Sequence, residues 1–254
     1  MPSLNLSDAD LYYHCLGAES SGQVPVIMIH GLLLGNSATW YFGAANSLSK
    51  THRVLVYDLR GHGMSGQASQ GYDLKTMVSD LKALIDSQGF SRVSLVGHSY
   101  GALIALHFAK DFPELIDKLV VVEGPLPPGR GLQIEEFLAL SAGDQAAALP
   151  KDIQDQMAKG SRQAKKLLER LSFLVTQTEL IANLKQESDI ADADLRDLNF
   201  PIQLIYGTES QLVDVAQRLD RTLPKSHLNW LSGGHYLPSE RPHDLSAIIG
   251  GFFQ

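Results

Sequence analysis

Mostly apolar runs alternate along the chain with longer stretches whose apolar residues recur at helical spacing. The runs Leu11 to Leu16, Pro25 to Ile29, Arg53 to Tyr57, Val93 to Val96, Leu119 to Val122, Ile202 to Tyr206 and Leu228 to Leu231 predict strands. Most of them lack an in-out alternation, which fits strands covered on both faces. The small-residue run Ala102 to Lys110 predicts a helix directly after one of them. Between Gly124 and Phe200 the pattern changes. A proline-rich entry, Gly124-Pro125-Leu126-Pro127-Pro128, precedes four short amphipathic segments at Ile134 to Ala142, Asp152 to Lys159, Gln163 to Thr176 and Glu179 to Lys185. The expected fold class is α/β, with a mostly parallel central sheet, helices on both faces and a helical cap inserted between late strands. Residues 1–124 and 200–254 form the core and residues 125–199 the cap, as an insertion in the same domain.

With 254 residues, 44% of them hydrophobic, the chain is long enough to fill one such core. A formal net charge of −7 without a basic stripe argues against a nucleic-acid partner. Lys165, Lys166 and Arg170 read as a solvated helix face. A single cysteine, Cys15, excludes an internal disulfide, and its strand position predicts a buried, inert thiol. No cluster has metal-ligand spacing, and no phosphate-binding loop or other cofactor signature appears. The N-terminus lacks the cationic start and apolar core of an export signal, and no run approaches the ~20 apolar residues that span a bilayer. A cytoplasmic protein without membrane attachment is expected.

The chemistry concentrates at the ends of the predicted strands. Gly97-His98-Ser99-Tyr100-Gly101 lies between a strand and a helix. A serine at the apex of so sharp a turn takes strained backbone angles, and small residues two positions either side avoid collision with the returning chain. The turn presents the Ser99 hydroxyl and sets the Tyr100 amide at a helix N-terminus, where it can donate to a developing oxyanion. Upstream, His30-Gly31-Leu32 follows a strand and can aim the Leu32 amide at the same point. The turn Asp58-Leu59-Arg60-Gly61-His62-Gly63-Met64-Ser65 reads as structural, with Asp58 and Arg60 as a local ion pair and His62 decorating it. After the last strand, Ser232-Gly233-Gly234-His235-Tyr236 carries a histidine suited to a general base.

These four pieces, in this order, resemble the α/β-hydrolase fold family from about Val24 to the C-terminus. The resemblance implies a Ser99 nucleophile, a His235 base and an oxyanion hole from Leu32 and Tyr100. Where the family usually offers Gly-x-x-Asp after the strand Ile202 to Tyr206, this chain reads Gly207-Thr208-Glu209-Ser210. Glu123, Glu209 or Asp214 can supply the missing acid. Glu123 ends the neighbouring strand and is favoured, with Glu209 next; members with a serine in the same slot use the earlier strand. A carboxylate at the elbow apex, which the family's epoxide and halide chemistry requires, is replaced here by Ser99.

The expected activity is hydrolysis of a carboxylic ester or thioester with a small to medium, largely apolar acyl group, through an acyl-serine and without a cofactor. His30, Trp40, Phe137 and Phe173 are candidate substrate contacts, with Tyr100 as a further aromatic wall. Lyase, carbon–carbon hydrolase or cyclase chemistry on the same scaffold, and a catalytically silent binder, stay open.

Overall fold

In the computed structural model, residues 2–18, 22–126 and 151–254 are described. The expected helix Ile134 to Ala142, with Phe137, lies outside them. Eight strands form the sheet: β1 (Ser3–Asn5), β2 (Asp10–Leu16), β3 (Val26–Ile29), β4 (Val54–Tyr57), β5 (Val93–His98), β6 (Ile116–Val122), β7 (Ile202–Gly207) and β8 (Ser226–Leu231). Their order is β1-β2-β4-β3-β5-β6-β7-β8. β1 and β2 pair antiparallel, and β2 joins β4 antiparallel. From β4 onward all pairings are parallel.

The continuous apolar strands reflect cover on both sides. Ile27, Ile29, Leu55, Leu95, Leu119, Val121 and Leu204 face one cluster with helices Leu74–Ser87, Tyr100–Asp111 and Val213–Thr222. Val26, Met28, Val54, Val56, Val120, Val122 and Ile205 face the other, packed by the helical segment 38–48 and by helix Pro242–Phe253. Helix Tyr100–Asp111 is buried on almost every side, which explains its small-residue composition. Helix Leu74–Ser87 begins at Asp73, whose carboxylate accepts from Thr76 N at 2.9 Å. Between β6 and β7 the described helices are Lys151–Ala158, Arg162–Thr176, Leu180–Gln186 and Asp192–Arg196. Leu174, Leu180, Leu184 and Leu195 of this insertion join the first cluster, so it shares the core of the sheet domain. None of the described helices is long and apolar enough to cross a membrane.

Three expectations about single residues need correction. Cys15 is exposed, because the far end of β2 runs out from under its cover; its thiol faces Gln88 Oε1 at 3.8 Å. Arg60 does not pair with Asp58. Its buried guanidinium grips Asp80 of helix Leu74–Ser87 with two bonds of 2.8 Å and reaches Asp8 at 2.9 Å. Asp58 instead accepts from Met64 N at 2.7 Å and closes its own turn. Trp40 is only 1% exposed and packs in the second cluster near Ala44 and Leu245, not at an open wall.

Candidate active site

Every element of the site hangs on the C-terminal end of a parallel strand. At the end of β5, Ser99 adopts φ 54 and ψ −124, a conformation that costs a non-glycine residue about 1–3 kcal/mol. Its glycines are required by what they touch. A Cβ on Gly97 would stand 2.5 Å from Ala102 Cα in the returning helix, and one on Gly101 would stand 2.5 Å from the carbonyl oxygens of Ile29 and His30 in the adjacent strand. The turn is thus wedged between its own helix and β3, and the Ser99 amide is pinned to Val122 O of β6 at 2.9 Å.

Ser99 Oγ lies 2.9 Å from His235 Nε2, and His235 Nδ1 lies 3.1 Å from Glu123 Oε2. Glu123 is fully buried at the first position past β6 and also has a positive φ of 51. It takes two more donors: Gly207 N to Oε1 at 2.6 Å and Ser210 Oγ to Oε2 at 2.6 Å. Three donors around one carboxylate leave His235 Nδ1 to carry its proton inward and expose the Nε2 lone pair to Ser99. Because Val122 is in register with Ile205 across β6 and β7, Glu123 and the loop after Gly207 are neighbours. Ser210 thus acts as a donor to the carboxylate, a role its presence in the acid slot hints at only once that carboxylate is placed. Glu209 is exposed, with its amide on Gly233 O at 2.9 Å, and Asp214 opens helix Val213–Thr222 with Oδ1 on Val215 N at 3.0 Å.

His235 is held through its backbone. His98 Nε2 is 2.8 Å from the His235 carbonyl, and a carbonyl only accepts, so His98 donates from Nε2. Burial pushes His98 down to about 3 and keeps it neutral. Glu240 accepts from Gly234 N at 2.6 Å and holds the other side of the loop.

The loop after β3, expected to supply an oxyanion donor, is braced by two further buried histidines. Gly31 packs directly on Ser99, since a Cβ there would lie 3.0 Å from Ser99 Cβ. Leu32 is the next residue along this loop, and the Tyr100 amide opens the elbow helix, where amides lack intrahelical acceptors. His62 Nε2 accepts from Leu33 N at 2.9 Å and its Nδ1 donates to Arg60 O at 2.8 Å, so it is a strut between two loops and no mere decoration. His30 Nε2 accepts from Leu59 N at 3.0 Å and its Nδ1 donates to Gly31 O at 2.7 Å. Both nitrogens expected to meet substrate are therefore spent on backbone. Burial lowers His30 to about 4 and His62 to about 3, as their amide donors demand.

The Tyr100 ring is buried and forms no open wall. Its hydroxyl donates to Glu187 Oε1 in the insertion, an oxygen that also accepts from Leu74 N at 2.8 Å. Burial pushes Glu187 up to about 7. Phe173 is half-buried against the first core cluster. Arg170 is not on a solvated face: its Nη2 donates to Gly63 O at 3.0 Å, bridging the insertion to the turn that carries His62. Among the described residues, no three His, Cys, Asp or Glu side chains are placed to hold a metal ion.

The family model for the alpha/beta hydrolase fold matches residues 24–162. "Putative carbamate hydrolase RutD" of Cronobacter turicensis is 28% identical over 246 residues, covering 90% of each chain. Epoxide hydrolase 4 of Mus musculus is 31% identical over 128 residues, 49% of this chain and 34% of that protein, so the chain spans about a third of its length. Among solved structures, a bacterial membrane phospholipase A superposes with TM-score 0.82 at 21% identity, covering 99% of this chain and 84% of that one. The enol-lactonase from Burkholderia xenovorans LB400 gives 0.78 at 18% identity, with 99% of each chain covered.

Proposed function

The chain belongs to the alpha/beta hydrolase fold family, and from that premise we propose that it is a serine hydrolase cleaving carboxylic esters or thioesters of a small to medium, largely apolar acyl group. The observation that carries this reading is the unbroken relay from Ser99 Oγ to His235 at 2.9 Å and from His235 to Glu123 at 3.1 Å. His235 Nε2 takes the Ser99 proton as Oγ attacks the substrate carbonyl. The amides of Leu32 and Tyr100 receive the negative charge on the carbonyl oxygen. Collapse breaks the bond to the alcohol or thiol, which leaves with the proton from His235, and Ser99 is acylated. His235 then deprotonates water, the water attacks the acyl-serine, and Ser99 recovers its proton as the acid departs. Glu123 fixes the imidazole's tautomer and stabilises its cation. The insertion serves as the cap over this centre, and the named activities of the relatives fit hydrolysis in general.

The test is hydrolysis of p-nitrophenyl acyl esters over a ladder of chain lengths, with labelling by a serine-reactive phosphonate. Turnover and labelling that both vanish in Ser99→Ala are expected. Failure of every ester to turn over in a Ser99-dependent way would remove the esterase reading and favour base chemistry by His235 or simple binding.

A further inference from the structure

The Glu187 carboxyl stands where three elements meet. It follows helix Leu180–Gln186 of the insertion, which is docked because Leu180 and Leu184 are buried in the core cluster that holds the Tyr100 ring. Its Oε1 accepts from Leu74 N at 2.8 Å, a first-turn amide of helix Leu74–Ser87 without an intrahelical acceptor, and from the Tyr100 hydroxyl. Its Oε2 is buried without a partner among the described residues, so the bonding runs through one oxygen. The titratable groups that act on it are Tyr100 and Asp73. Asp73 is engaged by Thr76, through N at 2.9 Å and Oγ1 at 2.8 Å. Burial and the nearby Glu187 push the Tyr100 hydroxyl above the usual phenol range, so it keeps its proton and donates.

Tyr100 is also the first residue of the elbow helix, and the peptide that joins it to Ser99 carries the amide that receives the oxyanion's charge in the proposed reaction. The Ser99 side of this peptide is held twice: Ser99 N donates to Val122 O at 2.9 Å, and Ser99 O accepts from Ala102 N at 2.9 Å. On the Tyr100 side the N–H is left for the substrate, so restraint falls to the side chain and to the packed helix beyond it. The strained φ of 54 at Ser99 makes that restraint matter, because a released peptide relaxes away from it. We propose that Glu187 is a positioning residue of the oxyanion hole: by gripping the Tyr100 hydroxyl it fixes the peptide between Ser99 and Tyr100, and the insertion thereby helps to aim the Tyr100 amide. This rests on the serine-hydrolase reading and deepens it. An amide turned away from the developing charge weakens the transition state and leaves ground-state binding alone, so the effect belongs in kcat and not in KM.

Tyr100→Phe removes the hydroxyl and keeps the ring and the amide, and Glu187→Ala removes its acceptor. Each should lower kcat for p-nitrophenyl esters about 10- to 100-fold with KM changed by less than about twofold, the cost of misplacing an oxyanion donor without deleting it. The double variant should be no slower than the slower single one, because both changes break the same bond. Glu187→Gln should recover most of the rate lost in Glu187→Ala, since its carbonyl oxygen can take both donors. A trifluoromethyl ketone gives a second readout: Ser99 Oγ adds to its carbonyl carbon, His235 receives the proton, and the oxyanion lies in the same hole. Its inhibition constant should weaken by the same factor as kcat/KM. All rates are taken at temperatures where thermal melts show the variants folded. A merely structural bond would lower the melting temperature and leave kcat and ketone binding at their wild-type values, and that result in either single variant would overturn the proposal. So would losses that multiply in the double variant. Turnover that survives Ser99→Ala would remove the serine-hydrolase reading and this role with it, whereas normal Ser99-dependent turnover in Tyr100→Phe would remove this role alone.

Discussion

Replacing Glu123 by glutamine changes one atom of the site and reverses the order of protons through it. Glu123 Oε1 faces the Gly207 amide at 2.6 Å, which can only donate, so the new side chain must leave its carbonyl oxygen there. The amide nitrogen then occupies the other position, 2.6 Å from Ser210 Oγ and 3.1 Å from His235 Nδ1. Ser210 can turn its hydroxyl and accept. His235 must give up the Nδ1 proton to accept in its turn, and its remaining proton moves to Nε2, facing Ser99 Oγ at 2.9 Å. The base is then blocked by its own proton. The expected loss is about 10⁴ in kcat, or roughly 5–6 kcal/mol of barrier. Steady-state p-nitrophenyl ester hydrolysis gives the rate, and nitrogen NMR of the His235 ring reads the tautomer directly. Glu209→Gln serves as the control and should lose less than twofold, because Glu209 is exposed and bonded only through its amide. A Glu123→Gln enzyme within tenfold of wild type, with the ring still protonated at Nδ1, would refute the assignment.

Gly97→Ala forces a methyl to within 2.5 Å of Ala102 Cα, so the elbow must open; a destabilisation of about 1–3 kcal/mol and loss of ester turnover are expected, and wild-type thermal stability would contradict the wedge described here. His30, His62 and His98 are held down at about 4, 3 and 3 by burial, so their ring protons should not titrate by NMR between pH 8 and 5. The unfolded chain takes up these protons near pH 6.5, so their contribution to stability is present above that pH and is lost as the pH falls towards the folded values. A ring midpoint near 6.5 for any of the three would show that its amide partner is not in place. Glu187 runs the other way: with its folded value raised to about 7 from 4.5, the native state holds the proton longer, and its contribution is lost as pH rises through 7. The melting temperature of wild type relative to Glu187→Gln should therefore decline between pH 4.5 and 7, and a constant difference would refute the burial of that carboxyl.

What the sequence made legible is what depends on neighbours along the chain. Val93 to Tyr100 reads as strand, apex and helix because each residue's role is set within a few positions. The continuous apolar runs likewise mark strands covered on both faces. The misread residues are those whose partners lie far away. Arg60 meets Asp80 twenty positions on and Asp8 fifty-two positions back, so Asp58 only looked like the nearer mate. A clue was present in Asp80, a charged residue on the apolar stripe of Met77, Leu81 and Leu84, which needed a buried counter-charge. His30 shows the same limit, since a histidine beside a nucleophile looks chemical until its nitrogens are found on backbone. Trp40 follows the oxyanion loop closely in sequence, but its short helix turns it to the opposite face of the sheet.

On the proposed reading the acid stands after β6 instead of β7, which changes who supports it. The slot after β7 now supplies donors, Gly207 N and Ser210 Oγ, where a carboxylate would need them for itself. This arrangement requires Glu123 to turn back across the strand end, and its φ of 51 is the result. Among the described non-glycine residues, positive φ occurs at Leu33, Ser99 and Glu123. These follow β3, β5 and β6, and each is restrained by a bond to another strand or loop: Leu33 N to His62, Ser99 N to Val122 O and Glu123 N to Ile205 O. Strain of about 1–3 kcal/mol at each is sustained by those restraints and by the packed sheet beneath them. Two of the three residues, Ser99 and Glu123, meet the imidazole of His235 from opposite sides, an arrangement that suits a reaction with a charged transition state.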